Sequence, residues 1–187
     1  MALRFVLVRH GETAWNRTGQ HTGHTDLPLT DDGRAQADTL GPRLAGYGIE
    51  RVVASPLARA RETAERAGLG LPLELDPDLM EWHYGRAEGR TKADLRAELP
   101  GWDIWRDGPP DGEPIAALVA RAERAHARLA ADRRLTAVFS HGHFLRVFAA
   151  AWVGWPPSHA RALALGNASI ALLGDEDGTR VVRAWNL

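Results

Sequence analysis

Three short apolar runs constrain this chain more than any other feature: Phe5 to Val8, Arg51-Val52-Val53-Ala54 and Leu135-Thr136-Ala137-Val138-Phe139. Runs of four or five residues, rich in β-branched side chains and bounded by charge, are too short for buried helices. They read as strands covered on both faces. Each runs into a polar cluster: Arg9-His10-Gly11, Ser55-Pro56 and Ser140-His141-Gly142-His143. Helical patterns lie between and beyond them. Thr30 to Tyr47 has Thr30 as its cap, and Pro56 to Ala67 has Ser55 as cap with Pro56 at the first helical position. Glu113 to Ala131 carries Leu118, Ala122 and Leu129 on one side, and Phe144 to Val153 is apolar nearly all round, as a buried helix is. Strands alternating with helices predict an α/β fold, a three-layer α/β/α sandwich with a mostly parallel central sheet. Near the C-terminus, Ser169 to Leu173 and Thr179 to Ala184 flank Asp175-Glu176-Asp177-Gly178, which predicts a hairpin and an antiparallel edge.

The 187 residues fit one domain spanning 1–187. Within it, residues 79–114 are rich in Trp, Gly and Pro and are expected to form an excursion covering the active site, because tryptophans seldom stay in solvated tethers. A formal charge of -1 gives no global field to hold a polyanion, so nucleic acid is not an expected partner. No apolar stretch approaches the ~18 to 20 residues of a membrane helix, and no cleavage site follows the N-terminal run, so no membrane partner and a cytoplasmic location are expected. The absence of cysteine excludes disulfides, thiolate metal sites and a cysteine nucleophile. Lys92 is the only lysine, so most cation sites are fork-shaped guanidiniums suited to phosphate or carboxylate.

In open parallel sheets the ligand crevice lies beyond the carboxyl ends of the strands. There the predicted strands deliver Arg9 and His10, then Arg59 one turn into the following helix, then His141. Gly11 and Gly142 remove side-chain bulk, so that backbone N–H groups can approach a ligand. If that ligand is a phosphoryl group, its oxygens need several donors and its axial position needs a nucleophile. Arg9, Asn16, Arg59 and His141 suit the first role and His10 the second, with the arginines favouring a neutral imidazole. A leaving oxygen also needs an acid. Glu81 is the candidate, with Glu88 and Glu12 as competitors that spacing does not separate.

A rival reading takes His141-Gly142-His143 with His21, His24 and His83 as zinc nitrogens, although no carboxylate or third histidine stands at diagnostic spacing. We expect no metal and no cofactor. Ser55 and Ser140 lie in no Gly-x-Ser-x-Gly elbow, Gly68-Leu69-Gly70 completes no dinucleotide fingerprint, and no Gly-Lys pair exists for a P-loop.

Leu7-Val8-Arg9-His10-Gly11-Glu12-Thr13 with Asn16, Ser55-Pro56-Leu57-Ala58-Arg59-Ala60-Arg61-Glu62-Thr63-Ala64, Met80-Glu81 before Gly85, and Ser140-His141-Gly142 together resemble the ordered signature of the histidine phosphatase superfamily, also called phosphoglycerate-mutase-like. The resemblance spans nearly the whole chain. It implies that His10 is transiently phosphorylated, that Arg9, Asn16, Arg59, His141 and Gly142 bind the phosphate, that Glu81 donates the proton, and that no metal takes part. The stretches from Gly19 to Thr30, Glu81 to Gly85, Trp102 to Gly108 and Phe139 to His143 are most similar to the sedoheptulose-bisphosphatase-like branch, which points to a sugar phosphate or bisphosphate.

Phosphoglycerate mutases share Thr22-Gly23, Tyr84, Lys92 and an Ile-Trp-Arg run ending here at Arg106, where they contact substrate; these five are the expected substrate-binding residues. Lys92 and Arg106 are equally readable as surface charges. The mutases follow that run with a second arginine where this chain has Asp107, which favours hydrolysis. Likewise His141 is followed by Gly142 rather than the aspartate of the acid-phosphatase and phytase branch. The expected function is a metal-independent phosphomonoesterase acting on a small phosphorylated metabolite. A phosphoglycerate mutase and a non-catalytic phosphate-binding protein are the alternatives. Oligomeric state is left open.

Overall fold

The computed structural model describes residues 2–187. Four strands, β1 (Ala2–Arg9), β2 (Arg51–Ala54), β3 (Leu73–Leu75) and β4 (Thr136–Ser140), form the parallel part of a six-stranded sheet. β5 (Ile170–Glu176) and β6 (Thr179–Ala184) add an antiparallel edge, giving the order β3-β2-β4-β1-β5-β6. The helices are α1 (Ala14–Thr18), α2 (Asp31–Asp38), α3 (Leu40–Leu44), α4 (Ala58–Ala67), α5 (Lys92–Glu98), α6 (Ile104–Asp107), α7 (Ile115–Ala130) and α8 (Gly142–Trp152).

The alternation of side chains along a strand divides the core in two. Phe5 and Leu7 of β1 pack with α7 and α8, while Val6 and Val8 pack with the layer containing Leu40, Leu44, Ala64 and Ala67. Both faces of the sheet are therefore covered, and the mostly parallel α/β/α class expected from the apolar runs holds. Trp82, Leu95 and Trp102 from residues 79–114 join the α7–α8 side of the core, so this segment is packed against the body of the protein.

Four local expectations are corrected. The helix predicted over 30–47 is broken at Thr39 into α2 and α3 and ends in a 3-10 turn. Pro42 is the cause, because it offers no N–H and its ring crowds the carbonyl four residues back. The helix after β2 starts at Ala58 rather than Pro56; Ser55 is not its cap, and the Ala58 N–H is instead held by Asp26 Oδ1 at 2.7 Å. At the hairpin, Asp175 and Glu176 belong to β5, and the turn is only Asp177-Gly178, both with positive φ, the backbone a two-residue type I′ turn requires. Finally, β3 was not anticipated: it has three residues, follows Pro72 and lies at the edge of the sheet.

Candidate active site

The parallel register pairs Arg9 with Ser140, so the residues that follow them, His10 and His141, leave the sheet side by side. The His10 amide donates to the Ser140 carbonyl at 3.0 Å, and the two imidazole centroids lie 5.2 Å apart. β2 pairs with β4, which brings Arg59, in the first turn of α4, to the same edge. Side chains drawn from three strand ends thus meet at one place.

His10 is 3% exposed. Its Nδ1 lies 2.7 Å from the Gly11 carbonyl, and a carbonyl only accepts, so Nδ1 carries the hydrogen and Nε2 carries the lone pair. Burial first, then Arg59 and Arg9, hold this imidazole well below its usual range, so the ring is neutral at neutral pH. Asn16 is oriented with equal clarity. Its Oδ1 accepts from the Thr13 amide, the Thr13 hydroxyl and Asn167 Nδ2, leaving its own amide hydrogens for the cavity. Asn167 also donates to the carbonyls of His10 and Gly11.

Arg9 and Arg59 do different work. Arg9 lines the cavity, is fixed through Nη1 to the Leu165 carbonyl at 2.6 Å, and has a buried Nε with no partner. Arg59 is fully buried and is spread over protein acceptors: Nε to His141 Nδ1 at 3.2 Å, and the Nη groups to the carbonyls of Thr22, Gly23 and Thr25. His141, also fully buried, places Nε2 at 2.8 Å from Ser55 Oγ. Arg59 and His141 lie beside His10 rather than among the residues that line the cavity, and most of the guanidinium's hydrogens go to protein acceptors because the 22–25 loop offers three carbonyls within its reach. The expectation for Gly11 is corrected. Its N–H goes to Thr63 Oγ1, and its missing side chain makes room for the Gly33 carbonyl.

Glu81 is 4% exposed and sits at the N-terminus of α8. Oε1 accepts from the amides of Trp82 and Phe144 at 2.9 and 2.8 Å, and Oε2 accepts only from His143 at 3.1 Å. Oε2 is thus the oxygen with room for a proton. Gly142 precedes these amides, lines the cavity, and lies under the Arg9 guanidinium, where a Cβ would stand 3.3 Å from Arg9 Nε. The Tyr84 hydroxyl and His143 Nδ1 share a short hydrogen bond. Burial raises the phenol and lowers the imidazole, so both partners stay neutral.

The cavity has a volume of about 340 Å³, and Arg9, His10, Asn16, Thr22, Glu81, Tyr84 and Gly142 all line it. A second chamber of about 400 Å³ shares His21, His143 and Arg146 with it and is walled further out by Lys92, Trp102, Trp105 and Arg161. Two predicted substrate residues lie elsewhere. Gly23 is a close-packing position: its N–H is held by Glu88 Oε1, and a Cβ there would meet Glu88, the Trp82 carbonyl and Tyr84. Arg106 lines neither chamber; its guanidinium is bound to the neighbouring Asp107 and the Gly101 carbonyl. Among the described residues no three His, Asp or Glu side chains gather in a metal-ligating group. His24 and His83 contact each other, 4.9 Å between centroids, away from the cavity that His10 lines. No helix is long and apolar enough to cross a membrane, counted among the described residues.

Sequence reasoning missed Asn167 and Arg146. Asn167 lies in an irregular loop more than 150 residues from the residues it holds, with no local pattern to mark it. Arg146 is one charge on an otherwise apolar helix, a signal that was available in α8.

The model of the histidine phosphatase superfamily (branch 1) matches residues 5–187. The chain belongs to this superfamily. An acid phosphatase of Mycobacterium tuberculosis is 41% identical over 189 residues, covering 98% of this chain and 92% of that protein. Sedoheptulose 1,7-bisphosphatase of Saccharomyces cerevisiae is 36% identical over 184 residues, covering 81% of this chain and 68% of that protein. The solved structure of open reading frame Rv3214 from Mycobacterium tuberculosis superposes with a TM-score of 0.93 at 38% identity, covering 100% and 98% of the two chains. This histidine phosphatase is a phosphoric monoester hydrolase.

Proposed function

We propose that the protein is a metal-independent phosphatase of small phosphorylated metabolites, with sugar phosphates and bisphosphates as the substrate class, working through phosphohistidine. The observation that carries this reading is the locked tautomer of His10, whose Nε2 lone pair belongs to a neutral ring in a cavity also lined by Arg9, Asn16 and Glu81. Arg9, the Asn16 amide and the Gly142 N–H at the start of α8 hold the phosphoryl oxygens. His10 Nε2 bonds to phosphorus as the bond to the leaving oxygen breaks, and Glu81 gives that oxygen its proton. Glu81 then takes a proton from water, the water oxygen bonds to phosphorus, the P–N bond breaks, and phosphate leaves with His10 restored. Every group in this cycle belongs to the chain.

The substrate class is supported by the outer chamber, where Lys92 and Arg146 supply positive charge, Arg161 is paired with the lining Asp103, and Trp102 and Trp105 supply flat walls. The yeast relative acts on a sugar bisphosphate, as its name states. Hydrolysis is favoured over mutase transfer because Arg106 is neutralised by Asp107 and turned away from both chambers.

The test is a screen of sugar phosphates, sugar bisphosphates and phosphoglycerates for phosphate release, with and without chelator, on wild type and His10→Ala. We expect chelator-insensitive turnover, an acid-labile phosphoenzyme in wild type and neither product in the variant. Full turnover by His10→Ala, or mutase product exceeding phosphate, overturns the proposal.

A further inference from the structure

The acid Glu81 is carried by residues 78–83, a segment outside regular helix and strand for most of its length. An irregular backbone does not fix a carboxyl group to the fraction of an ångström that proton transfer needs. The Glu81 carboxylate is tied to the amides of Trp82, His143 and Phe144, and the backbone that bears it needs holding as well.

That role falls to Arg121 of α7, whose side chain is only 11% exposed. Nη1 donates to the carbonyls of Asp78 and Met80 at 2.8 and 2.5 Å, and Nη2 donates to the carbonyl of Glu81 at 3.2 Å. The remaining hydrogens go to Glu113: Nε to Oε1 at 3.0 Å and Nη2 to Oε2 at 2.8 Å. All five donors of the guanidinium are used. Glu113 in turn grips the same segment through its backbone, accepting the Trp82 indole N–H at 2.7 Å and donating to the His83 carbonyl at 2.9 Å.

The opposite side of Glu81 is linked to the same arginine. The Arg121 guanidinium carbon lies 4.9 Å from the centre of the Phe144 ring, and Phe144 supplies one of the amides that bind the Glu81 carboxylate. Arg121 therefore touches both the backbone that bears the acid and the side chain next to its anchor, yet lines neither the cavity nor the outer chamber.

We infer that Arg121 is a positioning residue for the general acid: it sets where Glu81 stands relative to the leaving oxygen, acting through three carbonyls and Glu113. The inference rests on the assignment of Glu81 as the acid. A lysine offers a point charge without the planar fork, so it does not reproduce this arrangement.

A leaving-group comparison tests the role, because p-nitrophenolate departs without a proton whereas an alkoxide needs one. The quantity to read is kcat/KM, which covers only the steps up to phosphoryl transfer to His10. The substrates are p-nitrophenyl phosphate and glycerol 2-phosphate, and the variants are Arg121→Met, Arg121→Lys and Glu81→Gln. For Arg121→Met we expect glycerol 2-phosphate to lose about 10- to 100-fold and p-nitrophenyl phosphate less than about threefold, with Glu81→Gln showing the same split more strongly. Arg121→Lys falls between wild type and Arg121→Met.

Because Arg121→Met strands the Glu113 carboxylate, the double variant Arg121→Met with Glu113→Gln is measured beside it, and circular dichroism checks that each is folded. Equal losses on both substrates, or none on either, while Glu81→Gln still splits them, overturns the positioning role and leaves the proposed function standing. If Glu81→Gln itself shows no split, the acid assignment fails and the inference falls with it.

Discussion

The Nε–H of Arg59 donates to Nδ1 of His141 at 3.2 Å, which forces the hydrogen of that neutral ring onto Nε2, where Ser55 Oγ receives it at 2.8 Å. The same guanidinium binds the carbonyls of Thr22, Gly23 and Thr25, so one side chain sets both a histidine tautomer and the course of a cavity-lining loop. Arg59→Lys keeps the charge but cannot span four acceptors. We expect kcat/KM to fall by about 100-fold or more, with no recovery over Arg59→Met. Steady-state kinetics tests the loss, and 15N chemical shifts of His141 test whether the ring loses its fixed tautomer. A lysine variant within a few-fold of wild type contradicts this account.

The pH dependence follows from His10. Burial, Arg59 and Arg9 hold its pKa well below the usual imidazole range, and the neutral ring is the nucleophile. As pH falls from 7 the ring therefore stays neutral past 6.5, and its protonation removes activity only well below that value. Single-turnover phosphoenzyme formation should show no acid limb belonging to His10 in the ordinary imidazole range around pH 6.5, once the substrate's own phosphate ionisation near pH ~6 is allowed for. An NMR titration placing His10 at an ordinary imidazole value contradicts the assignment.

His126 of α7 offers a stability test remote from the chemistry. It is 7% exposed, neither ring nitrogen has a hydrogen-bond partner, and burial followed by Arg180 pushes its pKa down to about 4. The unfolded chain binds this proton near pH ~6.5. Between those two values the unfolded state holds more protons, so stability is complete above about pH 6.5 and declines as pH drops through the window. His126→Leu should remove this component of acid sensitivity and raise the unfolding free energy at pH 7 by about 1 to 2 kcal/mol. Urea unfolding at pH 7 and pH 5 provides the measurement; a variant less stable than wild type at both counts against it.

Gly23→Ala tests the packing of the 22–25 loop. A Cβ there would stand 2.7 Å from the Trp82 carbonyl and 2.9 Å from the Tyr84 ring, besides striking Glu88. The loop must shift, which loosens the Gly23 carbonyl from Arg59. We expect a loss of about 1 to 3 kcal/mol in stability and a raised KM. Gly46→Ala, where a Cβ meets open space, should stay within about 0.5 kcal/mol. Thermal unfolding of both variants and KM of the first decide the matter.

The parts legible in the sequence were those governed by short-range pattern. β1, β2 and β4 announce themselves because a strand buried on two faces must be apolar throughout, and the motifs at their ends mark Arg9, His10 and His141 directly. What stayed hidden depended on distant partners. Nothing near Ser55 reveals that its hydroxyl serves His141 rather than a helix start. Nothing near Asn167 reveals that it secures the carbonyls of His10 and Gly11. Arg59 was placed correctly at the sheet edge, but its direction depends on where the 22–25 carbonyls come to rest, and that is decided by Glu88 holding the amides of Gly23 and Thr25. Of the two readings the sequence left open for Arg106, the structure shows the surface charge, paired with its neighbour Asp107.

The meeting of residues 9, 10, 16, 81 and 142 above one sheet edge has a consequence for how the protein lives and dies. No fragment, half-sheet or partly melted form owns more than a splinter of the proposed anion receptor, so a phosphate that binds there selects the intact molecule. Ligand occupancy must then act as a brake on global opening, slowing proteolysis along the entire polypeptide rather than merely around the cleft.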